Sequence, residues 1–170
     1  MPTFDVQQLG SHHPNIRADD WRSPLVIRLL ANSNYTDGDR ELVVDHRPQG
    51  SVPTLCNFKL QWAGLANDYR RCQKTYQTSV ITEFAALGLS CILVTTLAQL
   101  EFTEVTRRGE RADYWLGDDI LLEVSGTQDG NLENLRESKR AQLQANPFKK
   151  PGFVCVVNFS NCRAFFWYYQ

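Results

Sequence analysis

The segment at residues 153–159 (FVCVVNF) most constrains the fold of this chain. Six of its seven residues are apolar and the seventh is Asn158. A strand that is apolar on both sides is typical of the middle of a sheet that is covered on both faces. A second, aromatic run (RAFFWYY) follows after Ser160 and Asn161 and predicts a neighbouring strand. The C-terminal part therefore favours a sheet with helices on each side.

Upstream of these strands, five segments carry a helix or strand pattern. In chain order, the patterns predict a helix over residues 67–96, strands over residues 100–106, 111–116 and 119–125, the last ending at Gly126, and a helix over residues 131–145. Asp129 or Asn131 can cap the second helix, and Pro147 closes it. The order of helix, three strands, helix and two strands predicts an α/β fold with a mixed β-sheet flanked by helices.

The first part of the chain has a weaker pattern. Residues 24–30 (PLVIRLL) fit either a strand or a helix, and residues 41–45 (ELVVD) fit a short strand. His12 and His13 are adjacent, lack other metal ligands at helical spacing, and are interpreted as part of a loose arm. We therefore divide the chain into an N-terminal extension, residues 1–66, which can pack on the core, and an α/β core, residues 67–170.

Composition limits the compartment and the partners. The N-terminus has no basic segment followed by an apolar run, and the longest apolar stretch, residues 84–94, is too short to span a bilayer. Five cysteines without a CxxC pair favour reduced thiols in a cytoplasmic protein, with no membrane partner. The formal net charge of -1 excludes coating of nucleic acid by bulk charge, although local basic patches remain available.

Two carboxylates on neighbouring predicted strands carry the chemistry. Asp113 and Glu123 are joined by the Gly117-Asp118 turn, so they should lie opposite or nearly opposite each other. Two close carboxylates repel unless a cation lies between them, and Mg²⁺ is commonly held by one or two carboxylates plus phosphate. Alternation along the strand places Ser125 on the same face as Glu123.

These residues resemble the PD-(D/E)XK nuclease superfamily over residues 67–170. The matches are Glu83 in the first helix, Ala112-Asp113 for the first signature, and Glu123-Val124-Ser125 for the second. The resemblance implies a restriction-endonuclease-like αβββαβ core, with Asp113 and Glu123 binding Mg²⁺ or Mn²⁺ and Glu83 completing the metal site.

The sequence departs from the superfamily pattern at two positions. Ala112 replaces the proline of the first signature, and Ser125 stands where the catalytic lysine is expected. In some relatives the following helix supplies the basic residue, and Lys139 is the only lysine of that helix. Arg136, Lys139 and Gln142 share a helix face. The resemblance therefore assigns catalytic roles to Asp113, Glu123, Ser125 and Lys139, with Gln142 as a phosphate or water contact.

Three functions follow as hypotheses. The first is a metal-dependent endonuclease or phosphodiesterase acting on DNA, in DNA processing or defence. The second is a catalytically inactive relative that binds DNA, a protein partner or further copies of itself. The third is a small binding domain in which Asp113 and Glu123 only form structural ion pairs with Arg111, Arg136 or Lys139.

Overall fold

One mixed eight-stranded sheet runs through the whole chain. The computed structural model describes all residues, 1–170, and confirms the α/β fold with helices on both faces of the sheet. The strands are β1 (Thr3–Asp5), β2 (Gly38–Arg47), β3 (Thr54–Trp62), β4 (Phe102–Val105), β5 (Tyr114–Leu116), β6 (Ile120–Thr127), β7 (Gly152–Asn158) and β8 (Arg163–Tyr169). Their spatial order is β1-β3-β2-β8-β7-β6-β5-β4.

The apolar strand β7 lies inside the sheet, as the sequence predicts. It pairs parallel with β6 and antiparallel with β8, and every one of its residues is buried. Strands β4, β5 and β6 form an antiparallel meander at one edge. On the other side, β2 pairs parallel with β8 and antiparallel with β3.

Five α-helices cover the two faces unequally. They are α1 (Leu9–His12), α2 (Arg22–Leu29), α3 (Ala66–Thr75), α4 (Thr78–Leu93) and α5 (Leu132–Gln144). Helices α2 and α4 contribute to the large core of 38 buried residues on one face. Helix α5 covers a smaller cluster on the other face, where Leu143 packs with Leu121, Val154 and Tyr169. The side chain of Asn131 caps α5 by accepting the Asn134 amide at 2.8 Å.

The single helix predicted for residues 67–96 is wrong, because the chain breaks it into α3 and α4. Tyr76 and Gln77 between them have extended backbone. An unbroken helix of that length would run roughly 45 Å, whereas the longest strand, β2, has 10 residues, or roughly 33 Å. The break keeps α4 on the sheet and lets α3 turn aside.

Strand β6 also differs from its prediction, because it continues through Gly126 to Thr127 and stays paired with β7. A Cβ at Gly126 would lie 2.9 Å from the Cβ of Ala86 in α4. Glycine is therefore needed here so that α4 can approach β6 closely. Glu83 lies on the same helix, one turn before Ala86.

The N-terminal segment shares the sheet and the large core with the rest of the chain. Residues 24–30 lie largely in helix α2, and residues 41–45 belong to the longer strand β2. The interpretation of His13 as part of a loose arm is wrong. Its ring is buried, with Nε2 2.9 Å from the carbonyl of Cys91 and Nδ1 accepting the Phe102 amide at 3.1 Å. Burial lowers the pKa of His13, as expected for a neutral ring that ties this segment to the core.

One helical stretch is apolar and long enough to cross a membrane by length and composition. It runs over Thr78–Ala98, with a mean hydropathy of 1.9 over its most apolar window. Most of that window is buried inside the fold, where α4 packs on α2 and β6. This packing is typical of the core helix of a soluble protein.

Candidate functional site

The β5–β6 hairpin places Asp113 and Glu123 face to face. Tyr114 pairs with Leu122 in the register of the hairpin, and the Asp113 amide donates to the Leu122 carbonyl at 2.9 Å. Asp113 lies just before β5, and its carboxyl comes next to Glu123 of β6, close enough to act on the Glu123 carboxyl. Glu123 projects toward the side of the sheet that α5 covers, where it meets Lys139.

In each of these two carboxylates, one oxygen accepts a hydrogen bond from a donor in the protein. Oδ2 of Asp113 accepts the amide of Val124 at 2.7 Å. Oε2 of Glu123 accepts Nζ of Lys139 at 2.8 Å. The second oxygen of each carboxylate has no such donor, so it is available to a shared proton or to a cation.

The electrostatics of the pair raise the pKa of Glu123. Only 3% of Glu123 is exposed. Burial and then the facing carboxyl of Asp113 raise the pKa of Glu123 to about 7, although Lys139 acts to lower it. Two carboxyl groups that share one site cannot both ionise at low cost. The pair therefore favours either a retained proton or a bound positive charge.

A cleft of about 420 Å³ opens beside this pair. Its lining residues come from α4, the β4–β5–β6 meander and α5: Ser79, Glu83, Phe84, Leu87, Val105, Asp113, Tyr114, Val124, Ser125, Gly126 and Lys139. Four of the residues that the sequence assigns to the site, Glu83, Asp113, Ser125 and Lys139, thus meet on one surface. Glu123 lies directly behind, bonded to Lys139.

The structure does not bring Gln142 to this cleft. Gln142 is exposed on α5 and does not line the cleft. Arg136 is also turned away, with its guanidinium 4.0 Å from the ring centre of Trp167 and its Nη1 2.8 Å from the Tyr169 hydroxyl. Glu133 and Glu137 neutralise Arg136. Lys139 is therefore the one basic side chain of α5 that reaches the carboxylates.

The donor set fits a hard divalent ion that also binds substrate or water. Mg²⁺ prefers oxygen ligands and usually keeps several waters, so one or two protein carboxylates suffice. Asp113 and Glu123 are the two residues that would hold such an ion. No group of three or more His, Cys, Asp or Glu side chains in the chain is close enough to hold a metal ion. Glu83 lines the cleft without forming such a group with Asp113 and Glu123.

Some residues of the cleft could not be assigned from the sequence. Tyr114 forms part of the wall, and burial above all, with smaller effects from Cys91, Asp113 and Glu83, raises its pKa to about 12. The amide of Val124, which fixes Asp113, is a backbone donor that carries no residue signal.

No protein-family model, no curated protein and no solved structure matches this chain.

Proposed function

We propose that this protein is a Mg²⁺-dependent phosphodiesterase of the PD-(D/E)XK type that cleaves DNA. The facing pair of Asp113 and Glu123, with Lys139 on the buried carboxylate, carries the proposal. The chain order of α4, three antiparallel strands, α5 and β7 supports it, because it matches the αβββαβ order that the resemblance implies.

The side chains of the cleft have separate tasks in this proposal. When bound, Mg²⁺ supplies charge neutralisation at the phosphate and lowers the pKa of an attacking water. Asp113 and Glu123 would hold the ion. Lys139 supplies a positive charge beside the carboxylates, where it would stabilise developing negative charge. Ser125 lacks a charge, and its hydroxyl is suited to holding a water.

One observation favours a second function, a catalytically inactive subunit that binds DNA or a protein partner. The ammonium of Lys139 already neutralises Glu123 at 2.8 Å. A site completed by its own ion pair resembles a structural pair, as long as no metal displaces the lysine. Cleavage and metal binding separate the two functions.

We further propose that the protein works in the cytoplasm. All five cysteines are free, and four of them are buried. Burial raises the pKa of the Cys155 thiol to about 12, so this thiol stays protonated and unreactive.

Replacing Asp113 by Asn tests the nuclease proposal. The amide oxygen of Asn can still accept the Val124 amide, so the fold is preserved while the negative charge is lost. We expect cleavage of supercoiled plasmid in Mg²⁺ to fall by at least about 100-fold. Mutating a residue that only hydrogen-bonds a metal ligand already lowers metal affinity or activity by about 10- to 100-fold. The assay also includes linear duplex DNA, single-stranded DNA and RNA.

Asp118→Asn is the matched control, because Asp118 is exposed in the β5–β6 turn and forms no ion pair. It should cleave like the wild type. Equal cleavage by Asp113→Asn and the wild type contradicts the proposal. If no variant cleaves any substrate, the inactive subunit becomes the better account.

A further inference from the structure

The loop between β4 and β5, residues 106–112, concentrates positive charge next to the cleft. Its sequence is TRRGERA, with Arg107, Arg108 and Arg111 all exposed. Glu110 is its only acid, so the loop has a formal charge of +2, from three arginines and one glutamate. The loop is therefore positively charged, although the whole chain has a net charge of -1.

The three arginines have no acidic partner. None of the ion pairs in the structure uses Arg107, Arg108 or Arg111. Glu104, Glu110 and Asp118 border a neighbouring cleft together with Arg107, but none of them pairs with it. The carboxylate of Glu110 instead accepts the backbone amide of Arg107 at 2.7 Å. The guanidinium groups are thus free for an external anion.

The hydrogen bonds of the loop anchor its backbone beside Asp113. The Thr106 amide donates to the Asp113 carbonyl at 3.1 Å, and the Thr106 hydroxyl donates to the Ala112 carbonyl. The Glu110 amide donates to the Arg107 carbonyl at 3.1 Å. The stem of the loop is therefore anchored on Asp113 itself.

The loop also flanks the cleft in space. Val105, just before it, and Asp113, just after it, both line the cleft. The Cα atoms of Arg111 and Asp113 are two residues apart, which is at most roughly 7 Å. Each strand of duplex DNA carries one phosphate per about 3.4 Å of helix axis, so a strand in the cleft brings its neighbouring phosphates to this loop.

We propose that loop 106–112 binds the phosphate backbone of DNA beside the bond that is cut, through Arg107, Arg108 and Arg111. This inference rests on the proposed function and identifies the surface of the protein on which the DNA docks. Arginine suits the task, since its planar fork binds phosphate with two parallel hydrogen bonds. The charge complementarity is local, which explains how a chain of near-zero net charge can bind a polyanion.

The test measures binding without cleavage, in the Asp113→Asn background. Arg107, Arg108 and Arg111 are all replaced by Gln, and a short fluorescent DNA duplex is titrated at several salt concentrations. Each lost phosphate contact should reduce the slope of log affinity against log salt by about 0.9. We expect the slope to fall by about 2 to 3 and the affinity at moderate salt to fall by at least about 10-fold.

A matched variant replaces three other exposed arginines, Arg17, Arg70 and Arg71, by Gln. Arg17 and Arg71 are paired with Asp20 and Asp68, and Arg70 bonds Asn67. The slope of this variant should stay near that of the parent. Both variants lose the same formal charge, so only a local role of the loop separates them.

Three results overturn the inference: equal slopes for the loop variant and the parent, equal losses in the two triple variants, or no DNA binding by the parent. Each of these is independent of the cleavage assay. Failure of Asp113→Asn to reduce cleavage overturns the proposed function, whereas a loop variant with unchanged DNA binding overturns only the docking surface.

Discussion

Replacing Lys139 by Met is expected to lower Mg²⁺-dependent cleavage by about 100- to 1,000-fold, the usual cost of removing one group that stabilises developing charge. Methionine keeps much of the length and apolar character of the lysine stem. The variant therefore removes the ammonium that lies 2.8 Å from Glu123 and leaves the wall of the cleft largely intact. Lys139→Arg keeps the positive charge and should recover part of the activity.

The dependence on Mg²⁺ separates a catalytic from a structural role of Lys139. Without the ammonium, the pKa of Glu123 rises further, because Lys139 is the group that lowers it. If Lys139 serves only to keep Glu123 ionised, high Mg²⁺ and high pH should restore the wild-type rate. We expect kcat to stay low under both conditions, and full restoration would contradict a catalytic lysine. Lys74→Met, at an exposed position of α3 without an ion pair, is the control.

Replacing Glu123 by Gln is expected to change how stability depends on pH in metal-free protein. The pKa of Glu123 is about 7 in the fold against 4.5 as its ordinary value. Below about pH 4.5 the side chain is protonated in both the folded and unfolded states, so folding loses nothing there. As pH rises from about 4.5 to 7, the unfolded state ionises while the folded state keeps its proton, and the fold loses up to about 3 kcal/mol.

Glutamine resembles the protonated acid and cannot ionise. The free energy of unfolding of Glu123→Gln minus that of the wild type should therefore increase by about 3 kcal/mol between pH 4.5 and pH 8. Urea unfolding in the presence of a chelator measures this difference. Glu104→Gln, at an exposed position without an ion pair, should show no such change. If the difference in free energy of unfolding between Glu123→Gln and the wild type stays constant with pH, Glu123 ionises normally in the fold.

The sequence predicts the C-terminal half well because its signals are local. The apolar run of β7 requires cover on both faces, and the turn after Leu116 fixes the register that pairs Tyr114 with Leu122. Once that register is set, Asp113 just before β5 and Glu123 of β6 come close together. The sequence pattern predicts that the strand ends at Gly126, because the close approach of Ala86 is visible only after α4 is in place.

The N-terminal part of the fold depends on contacts between residues that are far apart in the sequence. The ring of His13 is held by Cys91 and Phe102, 78 and 89 residues away, which no local pattern shows. Strand β3 has alternating Phe58, Leu60 and Trp62, but only its pairing with β2 identifies it as a strand.

Arg136 and Lys139 share a predicted helix face but have different partners in the structure. Residues three apart on a helix point about 60° apart. That offset is enough to set Arg136 over Trp167 of β8 and Lys139 over Glu123 of β6. The stacking of Arg136 on the aromatic strand could be predicted only after β8 was placed beside α5.

The most direct test of the proposed metal site is diffraction from crystals soaked in Mn²⁺, with the anomalous signal read at the two carboxylates. We predict a single strong peak between the free oxygens of Asp113 and Glu123, present in the Asp118→Asn variant and absent in Asp113→Asn. A map with no peak at these carboxylates, and with Lys139 still bonded to Glu123, would contradict the account.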